Sequence, residues 1–493
     1  MKKTVKEVSD MADLRCVAGR EVFWDMTLAD EVKNVRLEQH HPVRKNAVLV
    51  CDAPWEGEHC GYGSLLYDGE KYRLYYRGCG FNGGAWNLAG GEHTVWCVAY
   101  SADGKTFTKP SLGLYEFNGS FDNNIVLKED RYLDNFSVMK DDNPACASDA
   151  RYKAFSQFSQ DGRVGRLAYY KSADGLHFEF ERLLDVEGTF DSLNLLLWDA
   201  KIGKYRLYFR GFHDLEETEE KIEFENEGHV RDVRLALSED LIHWSAPQRL
   251  LYGDKYAFQF YTNGIMKYPR ADVFLGIPTR YVDRSPDRKN YAYLPDVNGF
   301  RPMLIEKFGR GGTAMTEATL MISRDGLRFD RTLEAFLTPG IENGDNWVYG
   351  DGYFEWGLAE TAADFPGEPA EYSLYTHAGY RARPVVFTRY TVRLDGFFSW
   401  SADYAGGEVL TKPFVCGGSD MRVNFETSAL GSLRLMICGE NGAELEGYDS
   451  GRLFGNAISR PVDFDKPLAL LIGKAVRLKI TLRDAKLYAM ELA

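Results

Sequence analysis

Four carboxylic acids lie next to strand-like segments of the chain, at positions from which they could act together on one bond. They are Glu58, Asp142, Asp191 and Glu360. Cleavage of a glycosidic bond requires two carboxyl groups, because one protonates the leaving oxygen while the other acts as nucleophile or as base for water. These four acids are therefore the candidate catalytic residues, provided that the fold brings them together.

Each of these acids also has a structural interpretation. Glu58 could be a solvated loop acid, and Glu360 could be the ion-pair partner of a buried arginine. Asp142 could cap the Asn-Pro turn that follows it. Asp191 precedes an apolar run that should be buried, where a carboxylate is costly unless it is paired, so a functional role is favoured at this position.

A second group of residues has the chemistry to hold a sugar. Carboxylate, amide, phenol and guanidinium groups bind hydroxyls, and indole rings stack on sugar rings. The predicted binding residues are Asp141, Tyr261, Asn263, Arg280, Trp347 and Trp55, with Trp86 as a further stacking candidate. Because most tryptophans are core residues, each of the three is open to that interpretation as well.

Composition and motifs argue against several other chemistries. The formal net charge is -14 and no long basic run occurs, so neither a nucleic acid nor an anionic membrane is an expected partner. The eight cysteines are scattered without a Cys-x-x-Cys pair, and P-loop, dinucleotide-binding and His-Glu-x-x-His motifs are absent, so no metal or cofactor is predicted. Reduced thiols and the lack of an apolar signal segment indicate a cytoplasmic location.

A repeated phrase marks the elements that must position these residues: Ser, any residue, Asp, usually Gly, two further residues, and an aromatic. It occurs at 101–107, 172–178, 238–244 and 323–329, and its serines are 71, 66 and 85 residues apart. Each copy follows a short apolar or alternating run, as in a strand that leads into a hairpin. The spacing fits one four-stranded propeller blade with its loops. The repeat aspartates are therefore predicted to be turn residues without a catalytic role.

A second element recurs upstream of the phrase. The segment Tyr-Arg-Leu-Tyr-Tyr-Arg-Gly at 72–78 is nearly restated at 205–211, with weaker copies at 152–155, 273–277 and 372–375. Five copies, four of them followed by the repeated phrase, predict a five-bladed β-propeller over residues 46–385. Acids near the start of the innermost strands would then converge on a central funnel. Arg77 and Arg210 end matching strands, so structural roles are expected for them, in pairs with the repeat aspartates or neighbouring loops.

The sequence changes character after residue 385. Residues 386–493 read as alternating strands separated by Gly-rich and Asp-rich turns, which predicts a β-sandwich. Residues 1–45 are predicted to form an N-terminal segment packed on the main domains. The predicted fold class is therefore all-β, with a five-bladed propeller followed by a C-terminal β-sandwich.

Five blades followed by a β-sandwich resemble glycoside hydrolase family 32, whose propeller is shared with families 43 and 68. The segment 238–244 (Ser-Glu-Asp-Leu-Ile-His-Trp) resembles the Ser-x-Asp-Leu-x-x-Trp turn of these enzymes, and 65–76 resembles their opening blade. The tail 476–492 is similar to their last sandwich strands. The resemblance covers nearly the whole chain and implies an enzyme that hydrolyses glycosides, with furanosides as one substrate class.

The chain departs from that family at its catalytic motifs. The family's Asp in an Asn-Asp-Pro-Asn-Gly context has no counterpart in 58–64, and its Glu-Cys-Pro acid is missing, with Asp191 as the nearest carboxylate. Its Arg-Asp-Pro motif is only partly matched by Lys-Asp-Asp-Asn-Pro at 140–144. The resemblance therefore implies a divergent branch.

Three hypotheses follow. In the first, the chain is a glycosidase for a small oligosaccharide or glycoside, with Glu58 or Asp142 as base or nucleophile and Asp191 or Glu360 as acid. In the second, the propeller has lost catalysis and only binds carbohydrate. In the third, it is a protein-interaction scaffold, which predicts an open funnel without charge. Carbohydrate is the expected partner in the first two, and a homo-oligomer is compatible with all three.

Overall fold

The computed structural model describes residues 14–80, 93–129, 133–160, 163–221 and 229–493. These residues are predominantly β-structure, and their contacts divide the chain into two units. The first unit comprises Pro42–Lys267 and Val273–Val392, and the second comprises the other described residues. Among the helices of the described residues, none is long and apolar enough to cross a membrane.

The first unit is built mainly from five meander sheets, which we call blades 1 to 5. Blade 1 contains Gly61–Tyr67, Tyr72–Gly80, His93–Ser101 and Ile125–Lys128. Blade 2 contains Asp134–Lys140, Tyr152–Gln160, Arg163–Ser172 and Glu179–Leu183. Blade 3 contains Leu195–Asp199, Lys204–Asp214, His229–Ser238 and Gln248–Arg249. Blade 4 contains Met266–Lys267, Phe274–Gly276, Met321–Ser323, Arg328–Arg331 and, added in parallel at its outer edge, Leu251–Tyr252. Blade 5 contains Ala359–Thr361, Glu371–Ala378, Val385–Arg393 and Val43–Cys51.

Smaller elements complete this unit. A three-stranded sheet contains Phe260–Thr262, Thr279–Asp283 and Ala314–Ala318, and a two-stranded one contains Glu220–Lys221 and Tyr256–Ala257. Short helices span Arg288–Tyr291, Phe300–Phe308 and Arg310–Thr313, and single 3-10 turns span Ser148–Ala150 and Ser285–Asp287.

Hydrogen bonds join the first strand of each blade to that of the next. Between blades 1 and 2, the Val138 amide donates to Ser64 Oγ at 3.0 Å. Between blades 2 and 3, the Ser137 hydroxyl donates to the Asn194 carbonyl. The first strands are thus the innermost ones, and polar side chains there satisfy backbone groups of the neighbouring blade.

The same kind of contact continues around the ring. Asn263 Nδ2 donates to the Leu193 carbonyl at 3.2 Å, which joins blades 3 and 4. Trp356 Nε1 donates to the Ile265 carbonyl at 2.8 Å, and its backbone amide donates to the Gly63 carbonyl at 2.9 Å. The two bonds of Trp356, which lies just before blade 5, therefore connect blade 4 with blade 1. The ring is therefore closed, and the all-β propeller class is confirmed.

The fourth strand of blade 5 comes from the other end of the chain. Val43–Cys51 pairs antiparallel with Val385–Arg393, so that Cys51 lies opposite Val385 and Val43 opposite Thr391. This pairing completes blade 5 with a strand from before blade 1 and so ties the two ends of the ring together. Both strands cross the boundaries that the sequence suggests near residues 45 and 385.

The repeated Ser-x-Asp turns lie at the contacts between blades. In three of the four copies, a tyrosine on the second strand of the preceding blade donates its hydroxyl to a carbonyl of the turn: Tyr75 to Gly175 at 2.8 Å, Tyr208 to Gly326 at 2.7 Å, and Tyr375 to Gly104. Within each turn the aspartate accepts hydrogen bonds from backbone amides of the residues that follow it, as Asp174 does from Leu176 and His177. The prediction that these aspartates are turn residues is confirmed.

The remaining copy, at 238–244, shows why the tyrosine and the glycine occur together. In blade 3 the glycine is replaced by Leu241, which adopts a left-handed backbone conformation with φ of 62°. The preceding blade carries Phe155 at the tyrosine position, and its ring stacks on Tyr169. A phenyl ring cannot donate to the turn, so this joint between blades relies on packing.

The second unit is a single sheet of eleven strands folded around one core. Its strands are Cys16–Val17, Gly19–Val22, Ala29–Lys33, Arg36–Gln39, Phe398–Ala402, Gly407–Thr411, Phe414–Cys416, Met421–Gly439, Glu444–Asp449, Asn456–Val462 and Ala475–Leu492, with a 3-10 turn at Leu468–Leu471. Alternate residues of the long strands, such as Leu433, Leu435 and Ile437, are buried. The alternation predicted from the sequence therefore places every second side chain of these strands in the core. Four of its strands come from residues 16–39.

We expect Tyr208→Phe to lower the free energy of unfolding of the first unit by about 1–2 kcal/mol, because the Gly326 carbonyl then remains buried without its donor. Urea denaturation followed by tryptophan fluorescence measures the change. The control is Tyr169→Phe, a buried tyrosine whose hydroxyl makes no hydrogen bond within the described part of the chain. Equal losses in the two variants would contradict a role for the hydroxyl as a joint between blades.

Candidate active site

The innermost strands of all blades begin at the same end of the ring. Each meander starts with its innermost strand, so these strands run parallel, as the parallel bridge between Ser64 and Trp356 illustrates. Their first residues and the residues just before them form what we call the amino-terminal end of the ring. It consists of 58–63, 133–135, 191–194, 260–264 and 353–356.

Two partly exposed carboxylates stand at this end, each paired with a buried arginine. Asp134 pairs with Arg77, and Asp191 pairs with Arg210. The aspartate side chains are 19% and 41% exposed, whereas the arginine side chains are 5% and 4% exposed. An arginine partner stabilises the negative charge and orients the carboxylate. Both anions can therefore face a ligand while their partners remain in the wall.

Of the two kinds of partner predicted for Arg77 and Arg210, the structure shows residues of neighbouring segments and not the repeat aspartates. Neither arginine bonds a repeat aspartate within the described residues. Arg77 also donates to the His59 carbonyl and to the Tyr380 hydroxyl, each at 3.1 Å. The two arginines are thus part of the wall of the funnel.

Tyrosine rings fill the space between the two ion pairs. The ring centres of neighbours in this cluster are 5.2–6.1 Å apart, and its members are Tyr62, Tyr261, Tyr349, Tyr353 and Tyr380. The hydroxyls of Tyr62 and Tyr349 are 3.0 Å apart. Burial raises the pKa of Tyr62, Tyr349 and Tyr353 well above the ordinary value. Their hydroxyls therefore stay protonated and can donate hydrogen bonds.

Glu355 and His377 form a buried pair next to this tyrosine cluster. His377 Nδ1 lies 2.7 Å from Glu355 Oε1, and both side chains are 1% exposed. The Gly63 amide donates to the other carboxylate oxygen. Nδ1 is engaged by the carboxylate, so Nε2 is the ring nitrogen left for another partner. Within the described residues, this Nε2 is buried and has no hydrogen-bond partner.

Two glycines make room for this pair. A Cβ on Gly61, whose φ is 132°, would lie 2.6 Å from His377 Cε1, and a Cβ on Gly63 would lie 2.8 Å from Glu355 Oε2. Neither approach is tolerated for a larger residue. The segment Gly-Tyr-Gly at 61–63 is therefore the local sequence signal for the pair, although a single sequence does not show what the glycines accommodate.

The segment before blade 1 adds a carboxyl and a histidine. Glu58 is buried at 3% exposure, and its carbonyl accepts from the Arg381 amide at 2.9 Å. Arg381 Nε also donates to His59 Nε2 at 2.9 Å. Burial, together with the charges of Arg381 and Arg77, holds the pKa of His59 well below its usual range. His59 is therefore a neutral acceptor in the wall.

The predicted catalytic acids divide between the two ends of the ring. Glu58 and Asp191 lie at the amino-terminal end. Asp142 follows the strand Asp134–Lys140 and is exposed, roughly 20 Å along the strand from its first residue. Although Asp142 is exposed, partial desolvation by the surrounding protein and the charge of Asp141 raise its pKa.

Glu360 also lies towards the opposite end. It is exposed on the strand Ala359–Thr361, and its carbonyl accepts from the Tyr72 hydroxyl at 2.6 Å. Tyr72 is the first residue of the second strand of blade 1, and that strand runs antiparallel to the innermost strand. The structure therefore does not bring Asp142 and Glu360 to the two arginine-paired carboxylates.

The predicted binding residues have equally different environments. Tyr261 belongs to the tyrosine cluster, and its carbonyl accepts from the Ser192 hydroxyl. Asn263 is buried as part of the joint between blades 3 and 4. Asp141 is buried and lies 2.6 Å from Lys153 Nζ. Of these three, only Tyr261 faces the cluster.

The remaining predicted binding residues each have a protein partner. Arg280 pairs with Glu317 and donates to the Leu333 carbonyl at 2.8 Å. Trp55 Nε1 donates to Asn124 Oδ1 at 2.7 Å, and Trp347 Nε1 donates to the Gly340 carbonyl at 2.9 Å. Trp86 lies outside the described residues.

Sequence reasoning missed Asp134 and Glu355. The available signal was positional, because Asp134 is the first residue of the innermost strand of blade 2 and Asp191 lies shortly before that of blade 3. In the part of the chain that the structure describes, no three His, Cys, Asp or Glu side chains are grouped so that they could hold a metal ion.

One further acid lies in the turn between Tyr349 and Tyr353. Asp351 Oδ2 accepts from the Val348 amide at 3.0 Å, and the Asp351 carbonyl accepts from the Thr316 hydroxyl at 2.7 Å. Burial, reinforced by the charge of Asp345, raises the pKa of Asp351 to about 7. This carboxyl therefore titrates close to neutral pH.

Neither a family model nor a curated protein matches the chain. Several solved structures are similar to it. One is an N-acetylgalactosamine deacetylase from F. plautii, at 12% identity over 88% of this chain and 98% of that one, with a TM-score of 0.42. Another is a glycosyl hydrolase from Bacteroides ovatus, at 14% identity over 71% and 94%, with a TM-score of 0.40.

A third similar structure is a glycoside hydrolase family 43 arabinoxylan arabinofuranohydrolase from Bacillus subtilis, in complex with cellotetraose. Its identity is 9% over 87% of this chain and 78% of that one, with a TM-score of 0.30. At these identities and TM-scores, the similarities assign neither a family nor an activity to this chain.

We expect Asp351→Asn to stabilise the protein at pH 8 and to have little effect at pH 4. Because the pKa of Asp351 is raised to about 7 in the folded state from an ordinary value of 3.8, the folded chain holds this proton more tightly than the unfolded chain. Ionisation therefore costs stability increasingly as the pH rises from about 4 to about 7. Thermal melts at pH 4, 6 and 8 measure this, with the exposed Asp122→Asn as control. A gain that did not grow with pH would contradict the expectation.

Proposed function

We propose that this chain is a glycoside hydrolase that cleaves a small oligosaccharide or glycoside at the amino-terminal end of the ring. One observation carries the proposal: Asp134 and Asp191 are partly exposed carboxylates, each held by a buried arginine, on opposite sides of the tyrosine cluster. Arg77 lies 4.5 Å from the ring centre of Tyr62, and Arg210 lies 5.2 Å from that of Tyr261.

The proposed chemistry divides the acids by environment. Asp134 and Asp191, stabilised as anions by their arginines, are the candidates for nucleophile or for base toward water. Glu58 is proposed as the proton donor, because its buried carboxyl lies at the same end of the ring as the two aspartates. The leaving oxygen would take its proton from Glu58, while a carboxylate or the water it activates attacks the sugar carbon.

The tyrosine cluster fits the binding of a sugar. Protonated hydroxyls can donate to sugar oxygens, and aromatic faces cover the apolar C–H faces of sugar rings. The buried His377 Nε2 offers a hydrogen-bonding partner for a hydroxyl or a bound water. Furanosides are the substrate class that the resemblance of the sequence implies, and they belong in any substrate panel.

The arrangement also argues against a plain scaffold. That hypothesis requires a funnel without charge, whereas Glu58, Asp134, Asp191 and Glu355 all lie at the same end. Binding without catalysis is the second candidate function. It is favoured by the fact that both exposed carboxylates are committed to ion pairs.

Asp134→Asn and Asp191→Asn should each lower kcat/KM by about 10²–10⁴-fold, because an amide can neither attack the sugar nor accept the proton of water. Activity is measured on nitrophenyl glycosides, including arabinofuranosides and fructosides, and on oligosaccharides. Asp142→Asn and Glu360→Gln serve as matched controls at the opposite end and should retain activity. Loss of activity in the controls alone would overturn the assignment.

Azide rescue separates the roles of the two aspartates. In Asp134→Gly and Asp191→Gly, azide should restore turnover where the missing carboxylate was the nucleophile or base, with a glycosyl azide as product. NMR of the first-formed anomer then distinguishes retention from inversion. If the folded wild-type chain turns over no glycoside but shows sugar-dependent thermal shifts that Asp191→Asn preserves, the binding function replaces the hydrolase.

A further inference from the structure

A cavity of about 320 Å³ lies in the first unit between blades 3 and 4. Its wall includes His213, Glu219, Arg249, Tyr252, Asp254 and Arg331. None of these residues takes part in the chemistry proposed for the amino-terminal end of the ring. The volume is at the lower end of the range of small-molecule sites, which suits one or two sugar units.

One strand separates this cavity from the tyrosine cluster. Phe260 lines the cavity, while the next residue, Tyr261, belongs to the tyrosine cluster. Successive side chains of a strand point to opposite faces. The cavity is therefore a separate site and not an extension of the funnel.

Two hydrogen-bond donors in the cavity wall are buried without a partner. Within the described residues, neither the Tyr252 hydroxyl nor Arg249 Nη1 makes a hydrogen bond. The closest carboxylate to Arg249 Nη1 is that of Glu219, at 3.8 Å. Unsatisfied buried donors are costly and rare, so they indicate an acceptor that completes the site.

Both donors belong to side chains that a charged neighbour contacts. Arg249 Nη2 pairs with Glu216 at 2.8 Å. The ring of Tyr252 is covered by the Arg331 guanidinium, 4.0 Å from its centre, and Arg331 Nε pairs with Asp254 at 2.7 Å. Little side-chain freedom remains to be lost when a ligand binds.

The same wall supplies acceptors and an aromatic surface. The carboxylates of Glu219 and Asp254 face the cavity beside the two donors, and Glu219 is held by His213 Nε2 at 3.0 Å. Tyr256 and Phe258 line it as well. Adjacent hydroxyls of a sugar both donate and accept, so they match a wall in which donors and acceptors lie side by side. The acids of the wall are balanced by basic residues of the same wall, such as Arg249 and Arg331, so a neutral ligand that both donates and accepts hydrogen bonds suits the site.

The geometry points to a second carbohydrate-binding site in this cavity, one that takes a neutral sugar residue. Its hydroxyls would accept from Arg249 and Tyr252 and donate to Glu219 and Asp254. The role proposed for this site is binding, and hydrolysis is proposed only at the amino-terminal end of the ring. The inference is independent of the proposed hydrolase activity.

Titration of the full chain tests this inference, with saturation-transfer NMR as the readout. The probes are free glucose, galactose, mannose, xylose and arabinose, with inorganic phosphate as the anionic comparison. Tyr252→Phe keeps the ring and removes only the hydroxyl, so it should weaken sugar binding about three- to tenfold, and Arg249→Gln should weaken it further. Tyr293→Phe, which is 85% exposed, is the matched control and should bind as the wild type does.

The outcomes separate this site from the funnel. Binding that Asp191→Asn preserves and Tyr252→Phe weakens supports the second site, whether or not the chain hydrolyses anything. Binding that Asp191→Asn abolishes and Tyr252→Phe leaves unchanged overturns it. So do the failure of all five sugars to bind, and binding of phosphate in their place. Thermal melts of each variant confirm that the chain is folded, and Tyr252→Phe carries the test if Arg249→Gln does not fold.

Discussion

The pairing of Val43–Cys51 with Val385–Arg393 is the constraint on which the first unit depends. It joins two distant parts of the chain in one sheet, so every blade between them is held in a closed ring. The entropic cost of closing so long a loop must be met by contacts distributed around the ring. The bonds between innermost strands and the tyrosine–carbonyl joints provide those contacts.

Closure also explains where chemistry can occur. Because all innermost strands run in the same direction, acids at the start of different blades meet at one end although they are far apart in sequence. Charges brought together in a partly buried space need partners, and buried arginines supply them for Asp134 and Asp191. The same requirement pairs His377 with Glu355. The grouping of acids at one end and their pairing with buried basic side chains thus both follow from the closed ring.

The polar groups without partners carry the other part of the interpretation. His377 Nε2 at the amino-terminal end, and Arg249 Nη1 and Tyr252 Oη in the cavity between blades 3 and 4, are among the buried side-chain atoms of the described residues that have no hydrogen-bond partner. Each is held by a strong contact on its other side. This combination of fixed orientation and missing partner is typical of sites that bind small polar molecules.

Local patterns in the sequence were sufficient for the repeat, the turn aspartates, the strand periodicity and the all-β class, because these depend on residues close together in the chain. The repeated Ser-x-Asp phrase is a turn in which backbone amides donate to the aspartate side chain, so a single copy is sufficient to predict its role. The candidate site is different. Asp191 could be chosen because it precedes a buried strand, whereas Asp142 and Glu360 lie at the opposite end of the ring from Asp134 and Asp191. The contacts of Arg77 with Asp134 and of Glu355 with His377 depend on the direction of the strands and on the closure of the ring. These contacts form between residues that are distant in sequence, so only the folded chain brings them within hydrogen-bond distance.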